Sequence, residues 1–178
     1  MASFNLHSVA VAILSDQLAQ RGDVEYSEGA FAAGLFHDLG LLLVALGLPE
    51  EYQQISLLHR QSPKWTLEYE RQVLGLTHVE LSAEALASWN IPEPIQIAVR
   101  FADTPDMDPT PAEADAIRLS RVLNASDRYV NGTGTSLSLF EGTPEDGQLA
   151  LEALGLGERL PMVLADFKNE FSAIQSYF

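Results

Sequence analysis

The segment Ala30-Phe-Ala-Ala-Gly-Leu-Phe-His-Asp-Leu-Gly40 decides how the rest of the chain is read. Ala30, Ala33, Gly34, His37 and Leu41 recur at helical spacing, so small residues line a face that a neighbouring helix can approach closely. The same pattern places two strongly polar side chains, His37 and Asp38, where burial is expected. A buried imidazole beside a buried carboxylate needs hydrogen-bond partners or a metal ion. Taken alone, the dipeptide reads as a core histidine satisfied by its neighbour. The flanking sequence lifts it above that reading.

Working outward, Phe4, Val9, Val11, Leu14 and Leu18 form an apolar stripe over residues 5–20, closed by Arg21-Gly22, with His7-Ser8 in its first turn. The central helix is expected from Ser27 to about residue 46, stopped by Gly47 and Pro49. Pro49 opens a third helix with Tyr52, Ile55 and Leu58 inward; His59 is read as a surface residue in its last turn, where a cation suits the helix dipole. A short helix spans residues 66–74, and Gly75 breaks it. Thr77 and Glu80 then form a capping box for a helix carrying His78, Leu81, Ala85, Leu86 and Trp89. Asn90-Ile-Pro-Glu-Pro turns into another helix, with Pro92 at its first position and Ile95, Ala98 and Val99 on its apolar face.

Residues 103–111 are rich in proline and aspartate and read as a loop. A long helix is expected over residues 112–130, with Ile117, Val122, Leu123 and Ala125 inward and Asp127 in its last third. Residues 131–147 read as a flexible connector; Gly132-Thr-Gly-Thr is no phosphate loop, because no strand precedes it and no Gly-Lys-Ser/Thr follows. Short and long helices close the chain, the last running from about Leu160 with Leu164, Phe167, Phe171 and Ile174 apolar. No hairpin or alternating strand pattern is present. The class is all-α.

Composition narrows the function. A chain of 178 residues with 47% hydrophobic content supports one sizeable core. With 25 acidic and 10 basic side chains the formal charge is -15, which repels phosphate backbones and anionic lipid. Neither nucleic acid nor a membrane is therefore expected as a partner. Cysteine is absent, which removes disulfides, thiolate metal sites and a thiol nucleophile. No apolar run is expected to reach transmembrane length, the start lacks a signal-peptide pattern, and a cytoplasmic location is expected.

His7-Ser8, then His37-Asp38, then Asp127 near the end of a late helix resemble the H…HD…D pattern of the HD superfamily. More specifically, Glu70-Arg-Gln-Val-Leu-Gly-Leu-Thr-His78 and the following Trp89-Asn-Ile-Pro-Glu-Pro-Ile95 resemble the HD-related output domain, HDOD, which reads E…LG..H…G..L…W.LP..I there. The resemblance covers residues 5–130 and implies an HD-like helical bundle, with residues 1–130 as core and 148–178 as helices packing on it or on a partner. It also implies that the family's usual leading helices, ahead of the stretch matching His7, are absent from this chain. HD phosphohydrolases generally continue as HDIGK, whereas Leu41 stands here in place of the lysine. The HD-GYP phosphodiesterases carry a His-His pair after the proline turn, whereas this chain reads Val99-Arg-Phe-Ala and has no Gly-Tyr-Pro after it.

The donors His7, His37, Asp38 and Asp127 suit one divalent ion, Fe, Mn, Mg or Zn, with water completing the shell. Adjacent helical residues point about 100° apart, so His37 and Asp38 can share an ion only at the helix flank. His78 is a candidate fifth ligand in a second-metal arrangement, with packing beneath the core as its plainer role, and Arg100 is the one cation placed to swing over a metal. Two functions remain open. One is a non-catalytic signalling module acting on a protein partner, a signalling domain or a second copy in a homodimer. The other is a metal-dependent phosphohydrolase or phosphodiesterase. Loss of the lysine, the missing histidine pair and the acidic surface favour the module.

Overall fold

The computed structural model describes residues 2–61, 66–111, 116–135, 142–175 and 177. Among these residues the fold is all-α, and the only extended pairing is one isolated parallel bridge between Val24 and Ile117. The helices are α1 (Ala2–Arg21), α2 (Ala30–Phe36), α3 (Leu39–Gly47), α4 (Pro49–Gln61), α5 (Thr66–Leu74), α6 (His78–Ser88), α7 (Glu93–Arg100), α8 (Leu119–Gly132), α9 (Pro144–Glu152) and α10 (Leu160–Gln175).

The buried hub is α1. Ala10, Val11, Ala12, Ile13 and Leu14 are consecutive and all buried, so this helix is enclosed on every side rather than along one stripe. It packs against α2, α8 and α10. Gly34 of α2 is what allows the closest of these approaches: a Cβ there would lie 2.6 Å from Ala12 Cα and 2.9 Å from Ala12 N. Both atoms are backbone and cannot rotate away. Gly34→Leu is therefore expected to destabilise the protein by about 3 kcal/mol or more. An unchanged melting temperature would show that α1 and α2 do not touch here.

The central helix expected over residues 27–46 is divided. α2 ends at Phe36, Asp38 takes a non-helical φ/ψ of -99°/12°, and α3 begins at Leu39. Ser82 of α6 holds the break: its hydroxyl donates to the His37 carbonyl at 3.0 Å and accepts from the Gly40 N–H at 2.7 Å. Backbone groups freed by the interruption are thus satisfied by one side chain. Contrary to expectation, Ser27–Gly47 taken as one run is long and apolar enough to cross a membrane by those two criteria alone; half of it is buried inside this fold.

Further corrections follow from packing. His59 is buried, not on the surface. Within the helix expected over 112–130, residues 112–115 lie outside the described residues, and α8 starts only at Leu119, because Ile117 exchanges backbone hydrogen bonds with Asp23 and Glu25. The capping box of Thr77 and Glu80 forms as expected. Residues 136–141 of the expected connector lie outside the described residues, and α9 begins at Pro144, capped by the Thr143 hydroxyl. α10 lies along α1, fastened by an ion pair between Arg21 and Asp166 and a hydrogen bond from Gln17 to Glu170. Phe167 is buried, stacks on Phe171 and meets Tyr129 of α8 edge-on.

Candidate metal centre

His7 lies in the first third of α1, and its Nδ1–H donates to the carbonyl of Thr135 at 2.7 Å. His37, at the end of α2, donates its Nδ1–H to the Gly34 carbonyl at 2.8 Å. A carbonyl only accepts, so both rings carry their proton on Nδ1, and in the neutral rings both Nε2 atoms are lone pairs. Those two lone pairs face each other across 3.4 Å in a fully buried place. That arrangement is repulsive unless something positive lies between them.

Two carboxylates complete the group. Asp127 Oδ1 from α8 is 3.1 Å from His7 Nε2 and 3.6 Å from His37 Nε2. Asp38 Oδ2 is 3.3 Å from His37 Nε2 and 3.6 Å from His7 Nε2. The break after α2 is what turns Asp38 onto the same point as its neighbour, which a continuous helix would not do. Donors around an ion with bonds of about 2.1 Å are separated by about 3.0 Å in octahedral and 3.4 Å in tetrahedral geometry. The observed spacings have that size. Asn131, one turn after Asp127, donates Nδ2–H to Asp127 Oδ1 at 2.9 Å and holds it. Carbonyls on the outer nitrogens of both imidazoles and an amide on a carboxylate are the supports that ligating side chains usually have. The residues present fit a divalent metal.

Electrostatics agree. Burial opposes a charge on His37, yet the carboxylates of Asp38 and Asp127 outweigh it and hold the His37 pKa well above its ordinary value. Burial likewise works against ionised Asp38, but His37 and His78 hold its pKa well below the usual carboxylate range. Asp127 is lowered in the same way: hydrogen bonds from His37 and His7 overcome the cost of burial. The site attracts a cation, whether a proton or a metal ion.

His78, read either as a fifth ligand or as packing beneath the core, is buried and lies beside the same cluster. The buried Glu70 carboxylate accepts the His78 backbone N–H at 2.7 Å and its Nδ1–H at 2.8 and 2.9 Å. Nε2 of His78 is thereby turned to within 3.4 Å of Asp38 Oδ1 and 3.6 Å of Asp103 Oδ2. Burial raises the Asp103 pKa to about 6; His78 opposes the rise, and Asp127, Asp38 and Glu70 add to it. The sequence reading carried Glu70 only as a motif residue, with no role beside His78, and missed Asp103. Glu70 had a signal, a carboxylate eight positions before a helix-starting histidine, whereas Asp103 was one of several aspartates in a proline-rich loop. Arg100 does not join the cluster: it pairs with Glu84 at 2.5 Å, as Arg71 pairs with Glu80 at 2.8 Å.

With this geometry in view, the family can be decided. The HDOD domain model matches residues 1–105. The chain belongs to the HDOD family. Among solved structures, the fold is similar to that of a proposed phosphohydrolase from Shewanella amazonensis, with a TM-score of 0.74 and 19% identity over 95% of this chain and 60% of that one. It is also similar to an HDOD domain protein of unknown function from Geobacter sulfurreducens, with a TM-score of 0.73 and 18% identity over 98% of this chain and 61% of that one. A proposed signal transduction protein from Marinobacter aquaeolei gives a TM-score of 0.71 and 21% identity over 97% of this chain and 37% of that one. This HDOD chain thus spans about three fifths of the first two. No curated protein matches it significantly.

Proposed function

We propose that this HDOD chain is a regulatory module that binds a divalent metal through His7, His37, Asp38 and Asp127 and signals through protein contacts without hydrolysing phosphoesters. The observation that carries the non-catalytic part is where the cations sit. Among the described residues near the motifs, Arg71 and Arg100 are each held by a glutamate on the outside of the bundle. A phosphoryl group reacting at the metal needs positive groups aimed at the charge that develops. A divalent ion between Asp38 and Asp127 contributes no net positive charge, and Leu41 replaces the family lysine. When bound, the metal would lower the pKa of a coordinated water; the protein supplies the imidazole and carboxylate donors and little else that a phosphate would seek.

The protein-contact part rests on surface chemistry. Phe31, Leu43, Leu46, Leu48 and Trp89 are exposed, and Phe4, Val9, Leu35, Phe36, Leu39 and Leu42 line an apolar cleft of about 300 Å³ on α1, α2 and α3. Exposed apolar side chains and an apolar cleft are features of association sites. The Marinobacter protein's designation points the same way. The converging His7, His37 and Asp127 donors and the designation of the Shewanella protein support the second reading, a metal-dependent phosphohydrolase.

Assays decide between them. Purified protein loaded separately with Mn, Fe and Mg is expected to leave nucleotides, cyclic dinucleotides and a generic phosphodiester at background rates, since losing a single preorganised cationic group already costs about 10²–10³ in rate. Robust turnover that vanishes in both His37→Ala and Asp38→Ala, with folding intact, would establish the enzyme instead.

A further inference from the structure

Residues 1–15 contain no aspartate, glutamate, lysine or arginine, and residues 29–49 contain only Asp38, which is buried among the metal donors. In a chain of formal charge -15 these stretches stand apart, because each helix from α4 to α10 carries at least two such side chains. The fold brings the two stretches together: α1 lies against α2, and the apolar cleft opens between α1, α2 and the start of α3. We propose that this uncharged face is a dimer interface and that its occupant is the same face of a second copy. The proposal rests on the protein-contact part of the function given above, names its partner, and does not depend on the metal.

The face is wider than the cleft. Leu39 and Leu42 line the cleft, and the exposed Leu43 and Leu46 continue the same side of α3 at spacings of three and four residues. On α2, exposed Phe31 lies one turn before the cleft residue Leu35. The Phe36 ring meets exposed Trp89 edge-on, 6.5 Å between centroids, which carries the face onto the end of α6. The polar residues that line the cleft, Asn5 and Ser8, are both uncharged.

Symmetry and charge select the occupant. In a twofold pair the same patch serves both copies, so side chains near the axis meet their own counterparts. With 25 acidic and 10 basic residues, most of this surface would set carboxylate against carboxylate. Leucine and phenylalanine meet their own kind without that cost and leave water in doing so. A basic partner, the kind drawn to the acidic remainder of the surface, finds no exposed carboxylate here to pair with. Leu35 and Phe36 close α2 while Leu39 and Leu42 belong to α3, so the interface spans the break that positions His37 and Asp38. The contact surface and the donor group thus share one structural element.

Sedimentation velocity over a wide concentration range, at low and high salt, tests this. Wild type is expected to pass from monomer to dimer, and salt is expected to tighten the dimer by screening the repulsion between two copies of charge -15. Leu43→Glu and Leu46→Glu, at exposed positions, are expected to weaken it by about 100-fold or more with the circular dichroism spectrum unchanged. Met162→Glu adds the same charge on α10 at a position 63% exposed, against 64% for Leu46, and is expected to leave the dimer nearly unchanged. The chain has no cysteine, so single nitroxides can be attached through Leu46→Cys or Met162→Cys, and the first is expected to give the shorter spacing between copies. A wild type that stays monomeric throughout overturns the second copy as occupant and leaves the protein-contact reading to a different apolar partner. A dimer that survives both leucine substitutions, that Met162→Glu dissolves equally, or that salt dissolves overturns this face as the interface.

Discussion

Metal-loaded protein is expected to melt well above chelator-treated protein, and the gap should widen as the pH rises past neutrality. A ligand at about 1,000 times its Kd stabilises the native state by about 4 kcal/mol. For a chain of this size, each kcal/mol moves Tm by about 2–4 °C, which predicts a difference of about 8–16 °C. The pH dependence follows from the protons of the metal-free site. His37 and His78 have pKa values raised well above 6.5, so the stability they contribute is complete below 6.5 and is lost as pH rises through their folded values. Asp38 and Asp127 have lowered values, so their contribution is present above 3.8 and is lost as pH falls through their folded values. Asp103, raised to about 6, acts in the opposite sense to those carboxylates: its protonated form is favoured in the fold, and stability declines between pH 3.8 and about 6. Metal binding needs deprotonated Nε2 atoms. The metal therefore gains affinity over the range in which the metal-free protein loses stability. Scanning calorimetry from acid to mildly alkaline pH, with and without Mn²⁺, checks this. A gap that is constant with pH would mean that the ion does not compete with protons on these imidazoles.

Gly40→Ala is expected to be more damaging than many core truncations, although it adds one methyl group. The new Cβ would fall inside the carbonyl group of His78, with the His78 carbonyl carbon at 2.9 Å and Cα at 3.1 Å. All of these are backbone atoms at the first residue of α6, so no rotamer change relieves the overlap. Nor can the glycine withdraw easily, because its N–H is held by Ser82. α3 must part from α6, at a cost of about 3 kcal/mol or more. Chemical denaturation measures the loss. Gly47→Ala is the control, since its Cβ would meet nothing within 4 Å. It should be neutral or slightly stabilising, because alanine is the better helix former. Equal effects at both positions would refute the argument from contact.

What the sequence made legible was whatever depends on local period. The helix over residues 5–20, the capping box at Thr77 and Glu80, and the helix bearing Ile95, Ala98 and Val99 all follow from spacing along one element. The all-α class and the HDOD family followed from these and from the motif letters. The break at His37–Asp38 was not legible, because the apolar pattern continues through it and the group that stabilises it is Ser82 of α6. Ile117 has the residue type and spacing of a helix, but a backbone partner at Asp23 pulls it straight. At the candidate site, His7, His37, Asp38 and Asp127 could be named from pattern. The direction of the His78 ring was not legible because the buried Glu70 carboxylate sets it, nor was the place of Asp103 beside it, because only the fold selects that residue from among its loop neighbours.

The link from His7 to the Thr135 carbonyl joins residues 128 positions apart, and the contacts from α1 to α10 reach farther still, 153 positions from Gln17 to Glu170. α1 is therefore made well before the partners that cover it. Its buried run from Ala10 to Leu14 has no complete cover until α8 and α10 have been made. Chains dominated by such distant pairings close large loops before the contacts repay the entropy, and they fold more slowly than helical proteins built from local contacts. The donors at His7 and Asp127 meet only when that closure is complete, so a metal ion bound there would be captured at the end of folding, locking the assembled chain without guiding its assembly.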